Sequence, residues 1–174
     1  MPPDASCLRL RPFRTSDEGM FAEAHRQLLD EDFEFGIHYE PGMPWGDYLQ
    51  AVSDQSLGLN LPESWVRNTR LVADVDGVLV GRTSVRHELN DFLLQYGGHI
   101  GYAVVPDQRR RGYATEILRQ SIAVAHTIGV ERVLVTCDEA NIGSVKAIEA
   151  CGGRLENVVP LPPHNVPRRR YWIT

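Results

Sequence analysis

The spacing of apolar and polar positions changes period along the chain, and the order of the changes outlines a fold. Cys7 to Phe13 alternates apolar and basic residues, the two-residue repeat of a strand. "TSDEGMFAEAHRQLLDEDF" follows with a Thr/Ser start, early acids and apolar residues at helical spacing, so a helix is predicted there. From Glu31 to Trp45 the repeat dissolves into acids, rings, Gly and Pro, which is loop chemistry, before a short helical stretch from Gly46 to Leu57. "RLVADVDGVLVGRTSVRHEL" reads as two β-rich runs joined at Asp76-Gly77, a hairpin signal, and "GGHIGYAVVP" as a third strand closed by Pro106.

Beyond Pro106 helices and strands alternate. Ala114, Ile117, Leu118, Ser121, Ile122, Ala125 and Ile128 recur every three or four positions and Gly129 supplies a stop, predicting one helix. "ERVLVTCD" is a short apolar strand, and "NIGSVKAIEACGG" a helix with an Asn start and a double-Gly stop. "GRLENVV" and "RRRYWIT" read as two last strands separated by the proline-rich stretch Pro160 to Pro167. Helices that cross between strands imply at least one parallel pair inside an otherwise antiparallel sheet.

Composition narrows the class without naming a chemistry. With 174 residues, 43% of them hydrophobic, the expectation is a single domain, 1–174, with a real core. No apolar run approaches the length of a membrane crossing and no charged-then-apolar leader is present, so a cytoplasmic protein is expected. Cys7, Cys137 and Cys151 lack the close pairing of zinc sites or disulfide frameworks, and no metal is expected. A net charge of -5 argues against general nucleic-acid binding, which relies on a basic face. Against that background Arg109 to Arg111 and Arg168 to Arg170 stand out. The second cluster reads as protection of an edge strand.

The first cluster lies where a strand ends in proline and a helix begins. The first N–H groups of a helix lack intrahelical partners and carry the positive end of its dipole, so they bind phosphate oxygens. Gly112 allows close backbone approach, Ala114 keeps the next turn small, and the arginines add charge-assisted bonds. The segment therefore reads as a diphosphate cradle, with a solvated arginine turn as the plainer alternative.

With "GGHIGYAVVPDQRRRGYATEIL", the Asp-Gly hairpin, the opening "LRLRPFRTSDEGM" and "NIGSVKAIEACGG" taken together, the chain resembles the GNAT superfamily of N-acetyltransferases over nearly its whole length. Arg109, Gly112 and Ala114 fall in register with that family's Arg/Gln-x-x-Gly-x-Gly/Ala motif. The resemblance implies an α/β (α+β) fold: a mixed, mostly antiparallel central sheet with a splayed parallel strand pair, flanked by helices on both faces. It implies acetyl-CoA as co-substrate, with backbone groups near Val104 and Val105 pairing with pantetheine amides. The pyrophosphate would rest on the N–H groups of Arg109, Arg110, Arg111, Gly112, Tyr113 and Ala114, while Asn141 and Ser144 would meet the pantetheine or the adenosine side. Dimerisation through late strands is frequent in the family.

Acetyl transfer to an amine by direct attack in a ternary complex needs a proton acceptor. Glu88, His87, Asp91 and His99 are candidates, with His99 reading equally as a hydrogen-bonded structural histidine and Tyr102 as a relay hydroxyl or a packed ring. The tyrosine that many family members carry in the later helix is Ile148 here, which leaves a non-catalytic acyl-CoA binding or sensing domain as the alternative. The loop with Phe33, Phe35, His38, Tyr39, Trp45 and Tyr48 would build the acceptor site. Asp30, Glu31, Asp32, Glu34 and Glu40 beside it suggest a cationic amine, since rings and carboxylates both favour ammonium.

Overall fold

A computed structural model describes residues 4–174. Strand β1 (Arg9–Arg11) is shorter than the alternation suggests, because Ala5–Cys7 closes into a 3-10 turn whose first N–H groups Asp4 caps. A second 3-10 turn, Thr15–Asp17, leads into helix α1 (Glu18–Leu29), and α2 spans Trp45–Leu57, ending at Gly58 in the left-handed region. The hairpin of β2 (Asn68–Val75) and β3 (Val78–Arg86) turns on Asp76 and Gly77, both at positive φ. That is the conformation a two-residue hairpin turn needs. The stretch before β4 (Ile100–Val104) forms a helical turn, Leu93–Gly97, that no periodicity announces.

Helix α3 (Tyr113–Thr127), strand β5 (Val133–Asp138) and helix α4 (Ile142–Ala150) follow as predicted, and β6 (Arg154–Leu161) pairs with β7 (Val166–Ile173). Both last strands run further than expected into the proline-rich stretch, with Pro160 opposite Pro167.

The seven strands lie in the order β1-β2-β3-β4-β5-β7-β6, all neighbours antiparallel except β4 and β5. Arg168 to Arg170 therefore sit on an interior strand and guard no edge. Each has an acid partner instead, Asp138, Glu139 and Glu156 in turn. The alternation of β6 and β7 does not say which returns beside β5, and the fold places β6 outermost.

Helices cover both faces. Phe21 and Leu28 of α1 and Tyr48 and Val52 of α2 pack on Val72 and Leu79, while Ile117 and Leu118 of α3 and Ile148 of α4 pack on the other side against Val80, Val85 and Val135. Ile148 is fully buried in that core. At this position the fold stacks an aliphatic side chain under Gly153, whose own Cβ would come within 2.5 Å of Ile148.

Candidate active site

The single parallel pair is barely a pair. Ile100 opposite Val135 is the one register position that β4 and β5 share, after which the strands diverge. The junction is held by His99, whose backbone N–H donates to the Leu134 carbonyl at 2.7 Å while its Nδ1 accepts the Leu134 N–H at 2.9 Å. With Nδ1 so engaged, the neutral ring carries its hydrogen on Nε2. Burial, helped by Arg86, pushes the His99 pKa down to about 4. The histidine therefore acts as the clasp of the splayed strands and is neutral near pH 7.

The sign of the accompanying stability effect follows from linkage. The unfolded chain protonates His99 near 6.5 and the folded chain near 4, so the unfolded state binds more protons in that window and stability falls as pH drops through it. The full effect is about 3 kcal/mol for a shift of this size. His25, His38 and His87 are also lowered by burial and add to the same slope. His99→Gln should therefore lose less stability than the parent between pH 7 and 4.5 in urea unfolding, and an unchanged slope would remove His99 from the linkage.

Past the junction, alternation decides which groups face the gap. Val105 donates its N–H to the Val80 carbonyl of β3 and accepts from the Gln108 N–H, so both its backbone groups are engaged away from β5. By the two-residue repeat, Tyr102 and Val104 turn their backbone groups toward β5. Of the two valines expected to meet the pantetheine, Val104 has the free aspect and Val105 does not.

The gap leads to the turn before α3. Arg110 and Gly112 both have positive φ, 64° and 80°. Consecutive N–H groups are thereby brought to one side, and those of Arg110, Arg111, Gly112 and Ala114 have no acceptor among the described residues. Such a concavity at a helix N-terminus fits a diphosphate. Arg109 pairs with Glu31 at 2.7 Å, tying the turn to the end of α1, while Arg110 and Arg111 are exposed. Tyr113 is buried under the turn. Asn141 caps α4 by accepting the Ser144 N–H at 3.1 Å.

Tyr102 projects from β4 toward α3 and α4. Its hydroxyl is buried without a hydrogen bond among the described residues, and burial pushes its pKa up to about 12, with nearby Ser144 acting the other way. Glu88 lies exposed just past β3, and Asp91 is exposed beyond it. His87 Nε2 is 2.7 Å from the Thr69 hydroxyl. Cys137 is buried at the gap, its pKa pushed up to about 11 by burial.

The ring-rich loop divides by depth. Phe35, Trp45 and Tyr48 sink into the core with Phe21, whereas Phe33 lies exposed over Arg82, 5.2 Å from ring centroid to guanidinium carbon. The acids Asp30, Glu31, Asp32, Glu34 and Glu40 are all exposed. What faces inward is basic: Arg70 and Arg82 are buried, and Arg86 half-buried, on the face covered by α1 and α2. Their sequence signal is weak, since a single arginine within a strand ordinarily marks a solvent-facing position.

Residues 8–154 match the family profile described as an acetyltransferase (GNAT) domain. Among solved structures, the microcin C7 self-immunity acetyltransferase MccE in complex with acetyl-CoA and AMP is 17% identical, with 96% of this chain and 92% of that chain covered and a TM-score of 0.66. RimJ from Mycobacterium smegmatis in complex with CoA-disulfide is 19% identical over 96% of this chain and 81% of that one, at 0.70. A GNAT-family acetyltransferase from Bacillus anthracis is 22% identical over 99% and 98%, at 0.63. No curated protein matches the chain in sequence. A sheet opened at one parallel pair, with a turn of unengaged N–H groups after β4, joins the family match in defining an acetyl-CoA-dependent acyltransferase. The chain belongs to the GNAT family of acetyltransferases.

Proposed function

We propose that the protein transfers the acetyl group of acetyl-CoA to the nitrogen of an amine by direct attack within a ternary complex in the cytoplasm. The observation that carries this reading is the divergence of β4 and β5 after Ile100 together with the turn that follows β4, where the N–H groups of Arg110, Arg111, Gly112 and Ala114 have no acceptor among the described residues. The acetyl-CoA and CoA species in the MccE and RimJ structures support the same assignment of the donor. Three free thiols fit a reducing compartment.

In the proposed reaction the amine nitrogen attacks the thioester carbonyl carbon, the carbon–sulfur bond breaks, and the amine's proton leaves. Glu88 is the proton acceptor of this reading: it is a solvent-facing carboxylate two residues past Arg86. His99 positions the strands and is not the base, because its acceptor nitrogen holds Leu134. Tyr102 supplies the hydroxyl that Ile148 cannot. With a pKa near 12 it does not surrender its proton to a thiolate whose conjugate acid lies near about 8.5, so it stabilises the leaving sulfur by donating a hydrogen bond.

Release of free CoA thiol over a panel of amines tests the reading. Glu88→Gln should lower kcat/KM about 100-fold, the lower range for loss of a general base. Tyr102→Phe should lower kcat about 10-fold with acetyl-CoA affinity unchanged, a loss of roughly one charge-assisted hydrogen bond. The acyl-CoA sensing alternative, motivated by Ile148, predicts tight acetyl-CoA binding with no thiol release for any amine.

A further inference from the structure

Among the described residues seven arginines form ion pairs, including Arg11 between Asp17 and Asp74, Arg168 with Asp138 and Arg170 with Glu156. Arg70, Arg82 and Arg86 form none among the described residues, although two of them are more deeply buried than most of the paired ones. Their partners are neutral. Arg70 donates to the Ile37 carbonyl and to Gln55 Oε1, Arg82 to the carbonyls of Phe35 and Glu34, and Arg86 to the carbonyls of Gly97 and Gly98. Buried cations without carboxylates are costly, and carbonyl oxygens could be satisfied by neutral donors.

The burial of Arg82 and Arg86 brings their pKa values down to about 10, with Arg70 pushing both the same way. The three charges thus lie close enough to oppose one another, and among the described residues none has a carboxylate within ion-pair distance, Glu34 acting on Arg82 only from further off.

Two of the three line a cavity of about 300 Å³ together with Gln55, Asn68, Asn90 and the stacked rings of His38 and Trp65. No carboxylate is part of its wall. Arg70 is 7% exposed, and its buried Nε has no hydrogen-bond partner among the described residues. Arg86 reaches from the cavity to the start of the splay: a Cβ on Gly101 would come within 3.6 Å of its guanidinium. Gly101 directly follows Ile100, the residue of β4 that pairs with β5.

We infer that the acetyl acceptor is an amine that also carries an oxyanion, a carboxylate or a phosphate, held between Arg70 and Arg86 while its nitrogen reaches the thioester over Gly101. This rests on the acetyltransferase reading and specifies its acceptor. It assigns the acceptor a charge opposite to the one suggested by the acidic loop, whose carboxylates the fold turns to solvent. The site's own charge also favours the neutral form of the amine, since a nearby cation disfavours ammonium.

The test compares primary amines of one length that end in carboxylate, phosphate, carboxamide or alcohol, with the parent protein, Arg86→Gln and Arg86→Lys. The expected result is at least a 10-fold lower KM for one or both anionic ends than for the neutral ones, a ratio lost in Arg86→Gln and restored in part by Arg86→Lys. The better of carboxylate and phosphate identifies the source of the oxyanion. Equal use of anionic and neutral amines, with Arg86→Gln affecting all alike, would overturn the inference while leaving acetyl transfer standing. If no amine is acetylated, inorganic phosphate and acetate decide: a rise in the parent's melting temperature with either, absent in Arg86→Gln, upholds the anion site on its own, and no rise with either ends it.

Discussion

Acetyl-CoA at about 100 times its Kd will stabilise the protein by roughly 2.7 kcal/mol, a rise in Tm of roughly 5–10 °C for a chain of this size, and Gly112→Asp will abolish it. Gly112 sits at φ 80° at the head of α3, where its N–H joins those of Arg110, Arg111 and Ala114. A Cβ there meets only the Ala5 side chain at 3.6 Å, an ordinary contact, so the aspartate fits sterically and the fold survives with strain of about 1 kcal/mol from the left-handed backbone. Its carboxylate, however, would occupy the positive end of the helix against a diphosphate. Gly112→Ala carries the same strain without the charge and should keep most of the ligand-induced rise. Differential scanning fluorimetry with acetyl-CoA, CoA and ATP reads the comparison. A full rise with acetyl-CoA in Gly112→Asp would detach this turn from pyrophosphate binding.

Gly98→Ala should destabilise the protein by roughly 3 kcal/mol, the sum of a steric overlap and a left-handed residue that is no longer glycine. Gly98 has φ 69°, and a Cβ on it would lie 2.6 Å from the Leu134 carbonyl oxygen. That oxygen is the acceptor of the His99 N–H, so the methyl would push β5 away at its sole register position with β4. Backbone on both sides leaves no flexible side chain to yield. Gly19→Ala is the control: nothing lies within 4 Å of its Cβ in α1, and the substitution should raise stability by about 0.5–1 kcal/mol through helix propensity. Chemical unfolding of the three proteins measures both effects, and a Gly98→Ala protein as stable as the parent would mean the splay is not held where the structure puts it.

Much of this molecule was readable from residue order because the decisive features are local. Asp76-Gly77 encodes its hairpin through the φ values only such residues adopt readily, and the proline, arginines and glycine before α3 encode a turn whose N–H groups converge whatever packs around it. Asn141 as the cap of α4 is equally local. The helical turn Leu93–Gly97 has no amphipathic repeat to mark it in the sequence, and β1 is short because the turn Ala5–Cys7 takes residues that alternate like a strand.

Assignments that depend on what lies across the sheet needed the fold. His99 could be base or clasp until the Leu134 N–H was found on its Nδ1, and Val104 could not be told from Val105 until Val80 claimed one of them. Arg168 to Arg170 looked like edge protection until β7 was seen between β5 and β6. The charge of the sheet face under α1 and α2 is the clearest case. Along the chain the acids of the aromatic loop are contiguous and conspicuous, while Arg70, Arg82 and Arg86 are scattered singly through two strands. Sequence order by itself determined most of the elements, the family and the turn before α3, because those follow from backbone preferences a few residues long. Only the tertiary structure decided which charges face inward, because a side chain's burial depends on which face of the sheet the helices cover, and strand alternation carries no label for that face.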